Sequence, residues 1–305
     1  MKSADGSSVA LVAGGLRVSL TEGAVRLEKG SITSAALAAE LLLMHVLRRD
    51  RAWLYAHPEY ELSSEQAAAY NDLIERRSAG VPTQYLTGHQ EFWGLDFEVG
   101  PGVLIPRPET EHVIEVALSR LGSRRSHPVR IADVGTGSGC IAVSLAREFP
   151  HAEIIATDIS ARALDYARRN AARQAVSDRI RFCEANLLGT GVEPPEQSPI
   201  RFDLIVSNPP YVGRNDAPHL AREVREHEPA EALFAGDRGF DLYPALVDQA
   251  AKLLRPEGMI VVEVGYDGAG FVRSLLSAPE WSLLKVTRDL AGIERVVSAQ
   301  RSAWL

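Results

Sequence analysis

The sequence predicts an α/β fold with a mostly parallel sheet, preceded by a small helical domain. From residue 129 onwards, short apolar runs alternate with longer segments of helical periodicity. This pattern is typical of strands buried on both faces of a parallel sheet with helices between them. Before residue 80, apolar residues recur instead at three- and four-residue spacing. The length of 305 residues also fits about two domains.

The helical domain is predicted over residues 16–88. Its clearest helix carries an apolar face formed by Leu37, Leu41, Met44 and Leu47. The run Ser63-Ser64-Glu65-Gln66 predicts the start of a second helix. Residues 1–15 are rich in Gly, Ser and Ala, and we expect them to form a loose extension.

A β-hairpin is predicted over residues 89–108, as a linker between the two domains. Residues 92–99 alternate in the manner of a strand, and Gly100-Pro101-Gly102 is a turn signal. Residues 103–105 are predicted to form the second strand, which the prolines at 106 and 108 end.

The remaining residues, 109–305, are predicted to form the α/β domain. Strands are expected at residues 129–134, 153–158, 180–183, 203–207 and 259–264. Helices are expected at residues 109–121, 141–149, 161–175 and 241–254. Two further strand-like runs, 282–287 and 294–299, flank a turn at Ala291-Gly292 and predict a C-terminal antiparallel hairpin. The sheet would then contain seven strands.

The composition argues against several classes of protein. The formal net charge is −7, opposite in sign to the basic face that binds a phosphate backbone, so we expect no direct nucleic-acid binding. No apolar run approaches the length of a membrane span, and no signal peptide is apparent. Cys140 and Cys183 have no metal-ligand spacing. A cytoplasmic protein without a metal or a membrane partner is expected.

A glycine-rich loop, Asp133-Val134-Gly135-Thr136-Gly137-Ser138-Gly139, follows a predicted strand and begins a helix. Glycines bring the backbone close to a ligand, and the helix start offers free N–H donors. The spacing is G-x-G-x-G rather than the dinucleotide fingerprint G-x-G-x-x-G. A tight turn without a ligand is the alternative. The candidate cofactor-binding residues are Asp133, Gly135, Thr136, Gly137, Ser138 and Gly139.

Asp158 ends the next predicted strand, 19 residues after Gly139. A carboxylate at this position can accept hydrogen bonds from both hydroxyl groups of a ribose. The alternative role is an N-cap for the following helix. Ser160 is the better candidate for that cap, which favours the ribose.

The run Asn208-Pro209-Pro210-Tyr211 directly follows the predicted strand 203–207. A proline-rich turn accounts for the two prolines but not for the residues that bracket them. The Asn208 side-chain oxygen and the Pro209 carbonyl can each accept an N–H, which would hold a planar –NH2 group in a fixed orientation. The Tyr211 ring can stack on that plane.

These three elements, in this order, resemble class I S-adenosylmethionine methyltransferases with an N-P-P-Y motif. Further runs narrow the resemblance to the HemK/PrmC family. They are Ala39-Glu40-Leu41-Leu42-Leu43, His57-Pro58-Glu59, Tyr85-Leu86-Thr87-Gly88, Glu91-Phe92-Trp93, Ile105-Pro106-Arg107-Pro108-Glu109-Thr110-Glu111 and Val224-Arg225-Glu226-His227-Glu228-Pro229. The resemblance extends from about residue 16 to the C-terminus.

The resemblance implies a Rossmann-like domain that uses S-adenosylmethionine, releases S-adenosylhomocysteine and needs no metal. It implies methylation of the N5 amide nitrogen of the glutamine in the Gly-Gly-Gln motif of peptide chain release factors, which the helical domain would help to dock. The implied catalytic residues are Asn208, Pro209, Pro210 and Tyr211. Asn186 and Asn208 join the glycine loop and Asp158 as cofactor-binding residues. His227 and Glu228 are weaker candidates for a base, because such residues more often belong to a solvated loop.

The chain departs from the family pattern at Glu184-Ala185-Asn186-Leu187, where an acidic residue and an aromatic residue are expected near the adenine. Asn186 can still hydrogen-bond the adenine, and Glu184 is a candidate replacement for the acid.

Four alternatives remain. A cousin that methylates a ribosomal-protein glutamine shares the N-P-P-Y motif but tends to have a serine where this chain has Pro108. DNA adenine-N6 methyltransferases also act on a planar –NH2 but must neutralise phosphates. A non-enzymatic cofactor-binding module and an NAD-dependent dehydrogenase are the others, and the intact N-P-P-Y motif argues against both.

Overall fold

The computed structural model describes residues 15–189 and 201–303. The described residues form two compact units. One runs up to Gly88 and also includes Ala221–His227, and the other contains His89–Leu220 and the chain from Glu228 onwards. Of the predicted extension 1–15, all but Gly15 lies outside the described residues.

Secondary structure covers most of the described chain. The helices are α1 (Leu16–Lys29), α2 (Ala35–Leu47), α3 (Arg51–Ala56), α4 (Ser64–Ser78), α5 (Thr83–Thr87), α6 (Glu111–Leu121), α7 (Cys140–Glu148), α8 (Ala161–Arg173), α9 (Arg222–His227), α10 (Ala230–Leu233), α11 (Tyr243–Leu253) and α12 (Ala269–Leu275). The strands are β1 (His89–Phe92), β2 (Leu95–Glu98), β3 (Val129–Val134), β4 (Ala152–Asp158), β5 (Ile180–Glu184), β6 (Phe202–Ser207), β7 (Leu254–Glu263), β8 (Trp281–Arg288) and β9 (Glu294–Arg301).

The first unit is helical, as predicted. Helix α4 begins with a capping box in which the Ser63 hydroxyl accepts from the Gln66 N–H and the Gln66 side chain accepts from the Ser63 N–H. The predicted apolar face of α2 is not its buried face, since Leu37 and Leu41 are 47% and 37% exposed. The core is instead reached by the adjacent face, whose buried residues are Ala35, Ala38, Ala39, Leu42 and Leu43.

The hairpin prediction was wrong in its turn and in its second strand. Strands β1 and β2 pair antiparallel from His89↔Glu98 to Phe92↔Leu95, so the turn lies at Trp93-Gly94. Residues 103–105 form no strand. They belong to the segment after Gly100-Pro101-Gly102 that leads into a short 3-10 turn, Pro108–Thr110, before α6.

The second unit contains a seven-stranded sheet in the order β5-β4-β3-β6-β7-β9-β8. The pairs between β5, β4, β3, β6 and β7 are parallel, whereas β9 runs antiparallel to both of its neighbours. The predicted mostly parallel sheet with a C-terminal antiparallel hairpin is therefore confirmed. Predicted and observed strands differ mainly at their ends, the largest difference being that β7 begins five residues earlier, at Leu254.

The strand order creates a crevice at one edge of the sheet. From β3 the chain moves outward through β4 to β5 and then returns to β6 on the other side of β3. The loops that follow β3 and β6 therefore leave in opposite directions from adjacent carboxyl ends, and ligands of open α/β sheets bind at such a point. Within the described ranges, none of the helices has the length and apolar character needed to cross a bilayer.

Candidate functional site

A cavity of about 1040 Å³, including space open to solvent, lies at this crevice within the second unit. Its walls come from the loops after β3, β4, β5 and β6, from the segment before α6, and from α10. The predicted site residues among its lining are Gly135, Thr136, Gly137, Ser138, Asp158, Asn186, Asn208, Pro209 and Pro210. Asp133, Gly139 and Tyr211 are the predicted residues that do not line it.

The glycine loop is held by backbone hydrogen bonds to the end of β4. The N–H groups of Gly135 and Thr136 both donate to the Thr157 carbonyl, at 2.9 Å each. Gly135 and Gly137 have φ of +73° and +56°, a region that favours glycine. A Cβ at either position would have no protein atom closer than 3.9 Å. The loop therefore leaves an open cradle above its backbone, which fits a ligand that approaches closely.

Asp133 lies beneath the loop rather than in the cavity. Its Oδ2 accepts from the Thr136 hydroxyl at 2.6 Å and from the Ala142 N–H at 3.0 Å. Burial raises the pKa of Asp133 from 3.8 to about 7, although these two hydrogen bonds oppose the rise. Asp133 thus connects β3, the loop and α7. Direct contact of its carboxylate with a cofactor remains a prediction.

Asp158 connects the loop to the cavity. Its Oδ2 accepts from the Gly137 N–H and its Oδ1 from the Ser160 N–H, both at 2.9 Å. The Ser160 hydroxyl accepts from the Ala163 N–H at 3.2 Å and is the N-cap of α8. Burial raises the pKa of Asp158, and the backbone hydrogen bonds oppose that effect. Since Ser160 caps the helix, Asp158 remains available to the cavity.

The segment after β5 contributes the far wall of the cavity. Ala185, Asn186 and Leu187 line it. Glu184 is exposed and does not line it, so the structure gives no support to Glu184 as a replacement for the missing acidic residue.

Two hydrogen bonds fix the end of β6 and the Asn208 side chain that follows it. The preceding hydroxyl, of Ser207, donates to the Val134 carbonyl at 2.7 Å and joins the ends of β6 and β3. The Asn208 Nδ2 donates to the Thr110 Oγ1 at 2.9 Å. Because its –NH2 end is engaged by Thr110, the amide of Asn208 has its oxygen left to accept from a ligand.

Tyr211 does not line the cavity. Its hydroxyl donates to the Glu263 Oε1 at 3.2 Å, and burial raises its pKa. Stacking of the Tyr211 ring on an acceptor group therefore remains a prediction. The backbone after Tyr211 pairs with residues 233–236, for example from the Val212 N–H to the Leu233 carbonyl at 2.9 Å.

We expect Gly239→Ala to disturb this motif. Gly239 has φ of +79°, and a Cβ there would lie 2.1 Å from the Tyr211 carbonyl oxygen. Backbone strain and overpacking together should lower the free energy of unfolding by about 2–4 kcal/mol, measured by urea denaturation. The matched control is Gly270→Ala in α12, where Gly270 is exposed and an added Cβ would meet no atom within 4 Å beyond its chain neighbours and the backbone of its own helix. This control should be neutral or stabilising by up to about 1 kcal/mol. Equal stability of the two variants would contradict the packing argument.

Glu263 and Thr110 are site residues that the sequence analysis did not identify. Both are buried, with 1% and 2% exposure. The Glu263 Oε2 has no hydrogen-bond partner among the described residues. Burial raises the pKa of Glu263 from 4.5 to about 7, while the hydroxyl groups of Thr110 and Tyr211 oppose the rise. A single carboxylate within the apolar run of residues 259–264 was the available sequence signal.

The raised pKa of Glu263 predicts an unusual pH dependence of stability. Between pH 4.5 and about 7 the folded protein holds a proton that the unfolded chain has released, so this carboxyl group lowers stability as the pH rises through that window. Glu263→Gln should therefore raise Tm near pH 8 by about 5 °C relative to the parent chain. The difference should shrink as the pH falls towards about 5. A lower Tm for the variant near pH 8, measured by scanning calorimetry, would contradict this.

Glu228 is not available as a base. Its Oε2 accepts from the Ile105 N–H at 3.1 Å, and its Oε1 forms an ion pair with Arg107. Its side chain is almost completely buried. Glu228 therefore fixes the segment before Thr110 against the cavity. The sequence analysis interpreted Glu228 either as a base or as part of a solvated loop, and both interpretations were wrong. His227, the other candidate, does not line the cavity.

A metal centre finds no support in the part of the chain that the structure describes. Residues 15–189 and 201–303 contain no group of three or more His, Cys, Asp or Glu side chains that could hold an ion. Cys140 lines the cavity, and burial raises the pKa of its thiol to about 12.

Comparison with known proteins places the chain in a family. Residues 19–88 match the PrmC N-terminal domain, and residues 114–230 match the methyltransferase small domain. A release factor glutamine methyltransferase from Koribacter versatilis is 46% identical over 275 residues, which are 90% of this chain and 94% of that one. This chain belongs to the release factor glutamine methyltransferase family. A second member, from Chlorobaculum tepidum, is 43% identical over 88% of this chain and 90% of its own length. The chain is accordingly a methyltransferase, as the resemblance implied.

Solved structures share the fold at low identity. The hMettl16 catalytic domain in complex with MAT2A 3'UTR hairpin 6 has a TM-score of 0.52 at 18% identity, covering 76% of this chain and 82% of that one. The 16S rRNA N2 G1207 methyltransferase RsmC of T. thermophilus, in complex with AdoMet and guanosine, has a TM-score of 0.50 at 18% identity, covering 70% and 49%. At this identity the likeness supports the class I methyltransferase fold alone.

Proposed function

We propose that this protein transfers a methyl group from S-adenosylmethionine to the side-chain amide nitrogen of a glutamine, the one in the Gly-Gly-Gln motif of peptide chain release factors. The observation that carries the proposal is the orientation of Asn208. Its –NH2 end is bound by Thr110, and its carbonyl end is left for the cavity beside the glycine loop. The names of the family members supply the substrate class.

The cavity residues fit S-adenosylmethionine. The cradle over Gly135 and Gly137 admits a ligand close to the backbone, and the Asp158 carboxylate is suited to ribose hydroxyl groups. Asn186 and the apolar Leu187 would lie beside the adenine. The cofactor, when bound, supplies an electrophilic methyl group on a sulfonium.

The acceptor half of the site suits a planar primary amide. Asn208 Oδ1 and the Pro209 carbonyl would each accept one N–H of the glutamine –NH2. The two acceptors fix the plane of the amide and raise the electron density on a nitrogen whose lone pair is delocalised. Orientation is the main contribution expected from the protein, since it can recover up to about 10 kcal/mol of a barrier.

The reaction is a direct in-line displacement. The glutamine nitrogen forms a bond to the methyl carbon while the bond from that carbon to sulfur breaks, and the bonding electrons leave with S-adenosylhomocysteine. The methylated nitrogen then loses one proton to water. No base from Glu228 is required, which agrees with the complete engagement of that carboxylate by Arg107 and Ile105.

The helical residues 16–88 are proposed to dock the release factor, because the family carries a dedicated N-terminal domain over residues 19–88. Release factors act in translation, so the proposed place of action is the cytoplasm. Direct nucleic-acid binding and a metal are not part of the proposal.

The test is methylation in vitro with S-adenosylmethionine carrying an isotopically labelled methyl group. A release factor is the acceptor, and peptide mass spectrometry locates the label. The matched acceptor control is the same release factor with the Gly-Gly-Gln glutamine replaced by alanine. Label on that glutamine, and none on the control, is the expected result.

Other outcomes separate the alternatives. Label on a ribosomal protein alone would indicate that the substrate is a ribosomal-protein glutamine, contrary to the indication from Pro108. Label on DNA adenine, with binding that weakens steeply with salt, would overturn the glutamine acceptor. A rise in Tm with NAD but not with S-adenosylmethionine would overturn the cofactor.

A further inference from the structure

Arg107 carries the one positive charge among the described residues that line the cavity. The other charged residues of that lining, Asp158 and Glu231, are acidic. S-adenosylmethionine has a single anionic group, the carboxylate of its methionine portion. We propose that the Arg107 guanidinium binds this carboxylate. The inference rests on the proposed cofactor and adds a binding residue outside the glycine loop and the N-P-P-Y motif.

Arg107 is held in place by a buried carboxylate. Its Nη2 donates to Glu228 Oε1, and Glu228 Oε2 accepts from the Ile105 N–H at 3.1 Å. The Glu228 side chain is 1% exposed, and Glu228 does not line the cavity. Arg107 does line it, and its side chain is 30% exposed. The ion pair therefore fixes the guanidinium at the cavity wall without closing that wall.

The ion pair leaves donors of Arg107 for a ligand. A guanidinium presents five N–H groups in a rigid plane. No second hydrogen bond of Arg107 is found among the described residues. None of its nitrogens is both buried and unpaired, so the remaining N–H groups reach open space. Such a fork can bind the two oxygens of a carboxylate together.

The glycine loop is a poor site for the same carboxylate. Anions commonly bind at the start of a helix, through N–H groups that have no partner within the helix. Here the N–H groups of Gly135, Thr136, Gly137 and Gly139 all donate to other protein atoms. A carboxylate left without partners in the cavity would be costly. Its binding therefore calls for donors from another wall.

The strand order places Arg107 at the end of the cavity that suits the methionine portion. Asp158 ends β4 and Asn208 follows β6, with β3 between the two strands, so the two residues end strands that are about 10 Å apart. With the ribose at Asp158 and the methyl group beside Asn208, the methionine portion lies on the β6 side. Arg107 belongs to that side, because Thr110, three residues later, accepts from the Asn208 side chain.

The test compares the Kd values of two ligands by calorimetry. S-adenosylmethionine has the carboxylate, whereas decarboxylated S-adenosylmethionine lacks it and keeps the nucleoside, the sulfonium and the amine. The variants are Arg107→Gln and the double variant Arg107→Gln/Glu228→Gln, which leaves no buried charge without its partner. The matched control is Arg255→Gln. Arg255 also pairs with a buried carboxylate, that of Asp203 at 2.9 Å, but does not line the cavity.

The parent chain should bind S-adenosylmethionine about 10- to 100-fold more tightly than the decarboxylated ligand, the effect of one or two hydrogen bonds between charged groups. Both Arg107 variants should lose this preference. Their Kd for S-adenosylmethionine should rise by the same factor, while their Kd for the decarboxylated ligand stays within about threefold. Arg255→Gln should keep the preference of the parent chain. Tm, measured for every variant, separates a loss of binding from a loss of folding.

Three results would overturn the inference alone. These are equal affinities of the parent chain for the two ligands, an equal loss of both affinities in the Arg107 variants, and unchanged affinities with a raised KM for the release factor. The last result would assign Arg107 to the acceptor. A parent chain that binds S-adenosylmethionine but methylates no glutamine is a different failure, which would overturn the proposed acceptor and leave the role of Arg107 intact.

Discussion

Asn208→Ala is expected to lower kcat for methylation by about 100- to 1,000-fold, comparable to the removal of one oriented group that stabilises a transition state. Asn208 supplies one of two acceptors for the –NH2 of the substrate, and its oxygen is fixed by the hydrogen bond from its Nδ2 to Thr110. Without it, the amide nitrogen loses both an acceptor and its alignment with the methyl group. The measurement is single-turnover methylation of a release factor, with product located by mass spectrometry.

The matched control is Asn215→Ala, an exposed asparagine shortly after the motif. It should retain kcat within about twofold. Affinity for S-adenosylmethionine should be largely preserved in Asn208→Ala, since the glycine loop and Asp158 are untouched. A variant that kept full kcat but lost cofactor affinity would assign Asn208 to the cofactor alone.

Strand and loop periodicity predicted the frame of the site because those signals are local. The end of β3, the glycine loop and Asp158 lie within 30 residues of one another in the sequence, and each ends or follows a short apolar run. The parallel order of the strands then follows from the helices between them. To predict that Asn208 lies at the same edge of the sheet, it was enough to assign the preceding strand, residues 203–207, to that sheet.

The hairpin was mispredicted because its turn carries a weak signal. Trp93 and Gly94 have φ of +54° and +67°, which is the two-residue turn of type I′ that asparagine and glycine usually form. Tryptophan does not predict such a turn, whereas Gly100-Pro101-Gly102 does indicate a turn. The prediction therefore followed the stronger local signal and placed the second strand at residues 103–105, which form no strand.

Thr110 and Glu263 were missed, and Glu228 was given the wrong role, for a different reason. Thr110 is 98 residues from Asn208, and Glu263 is 52 residues from Tyr211. Contacts at such separations depend on how the sheet and the segment before α6 come together, which periodicity does not encode. The only sequence signal was the chemical character of Glu263, a single carboxylate inside an apolar strand. A charged residue at a position that otherwise buries apolar side chains is expected where the needs of function conflict with those of stability.

Asp158→Ala is expected to weaken S-adenosylmethionine binding by about 100-fold or more, since hydrogen bonds to a charged group contribute roughly 1.5–3 kcal/mol each. The substitution also frees the Gly137 N–H that Asp158 holds at 2.9 Å, so the glycine loop loses part of its shape. Calorimetry gives Kd directly. Asp165→Ala is the control, because Asp165 is an exposed carboxylate on α8 whose partner is Arg168.

The pattern across the two substitutions separates the halves of the site. Asp158→Ala should raise KM for S-adenosylmethionine while kcat at saturation stays within a few-fold, because the acceptor half around Asn208 is intact. Asn208→Ala should instead lower kcat, while KM for S-adenosylmethionine is largely preserved. Normal cofactor affinity with a lower Tm in Asp158→Ala would mean that Asp158 only stabilises the loop, through its hydrogen bonds with the Gly137 and Ser160 N–H groups. The ribose would then need another partner among the cavity residues, and Asn186, the other predicted ligand there, would be the one to substitute next.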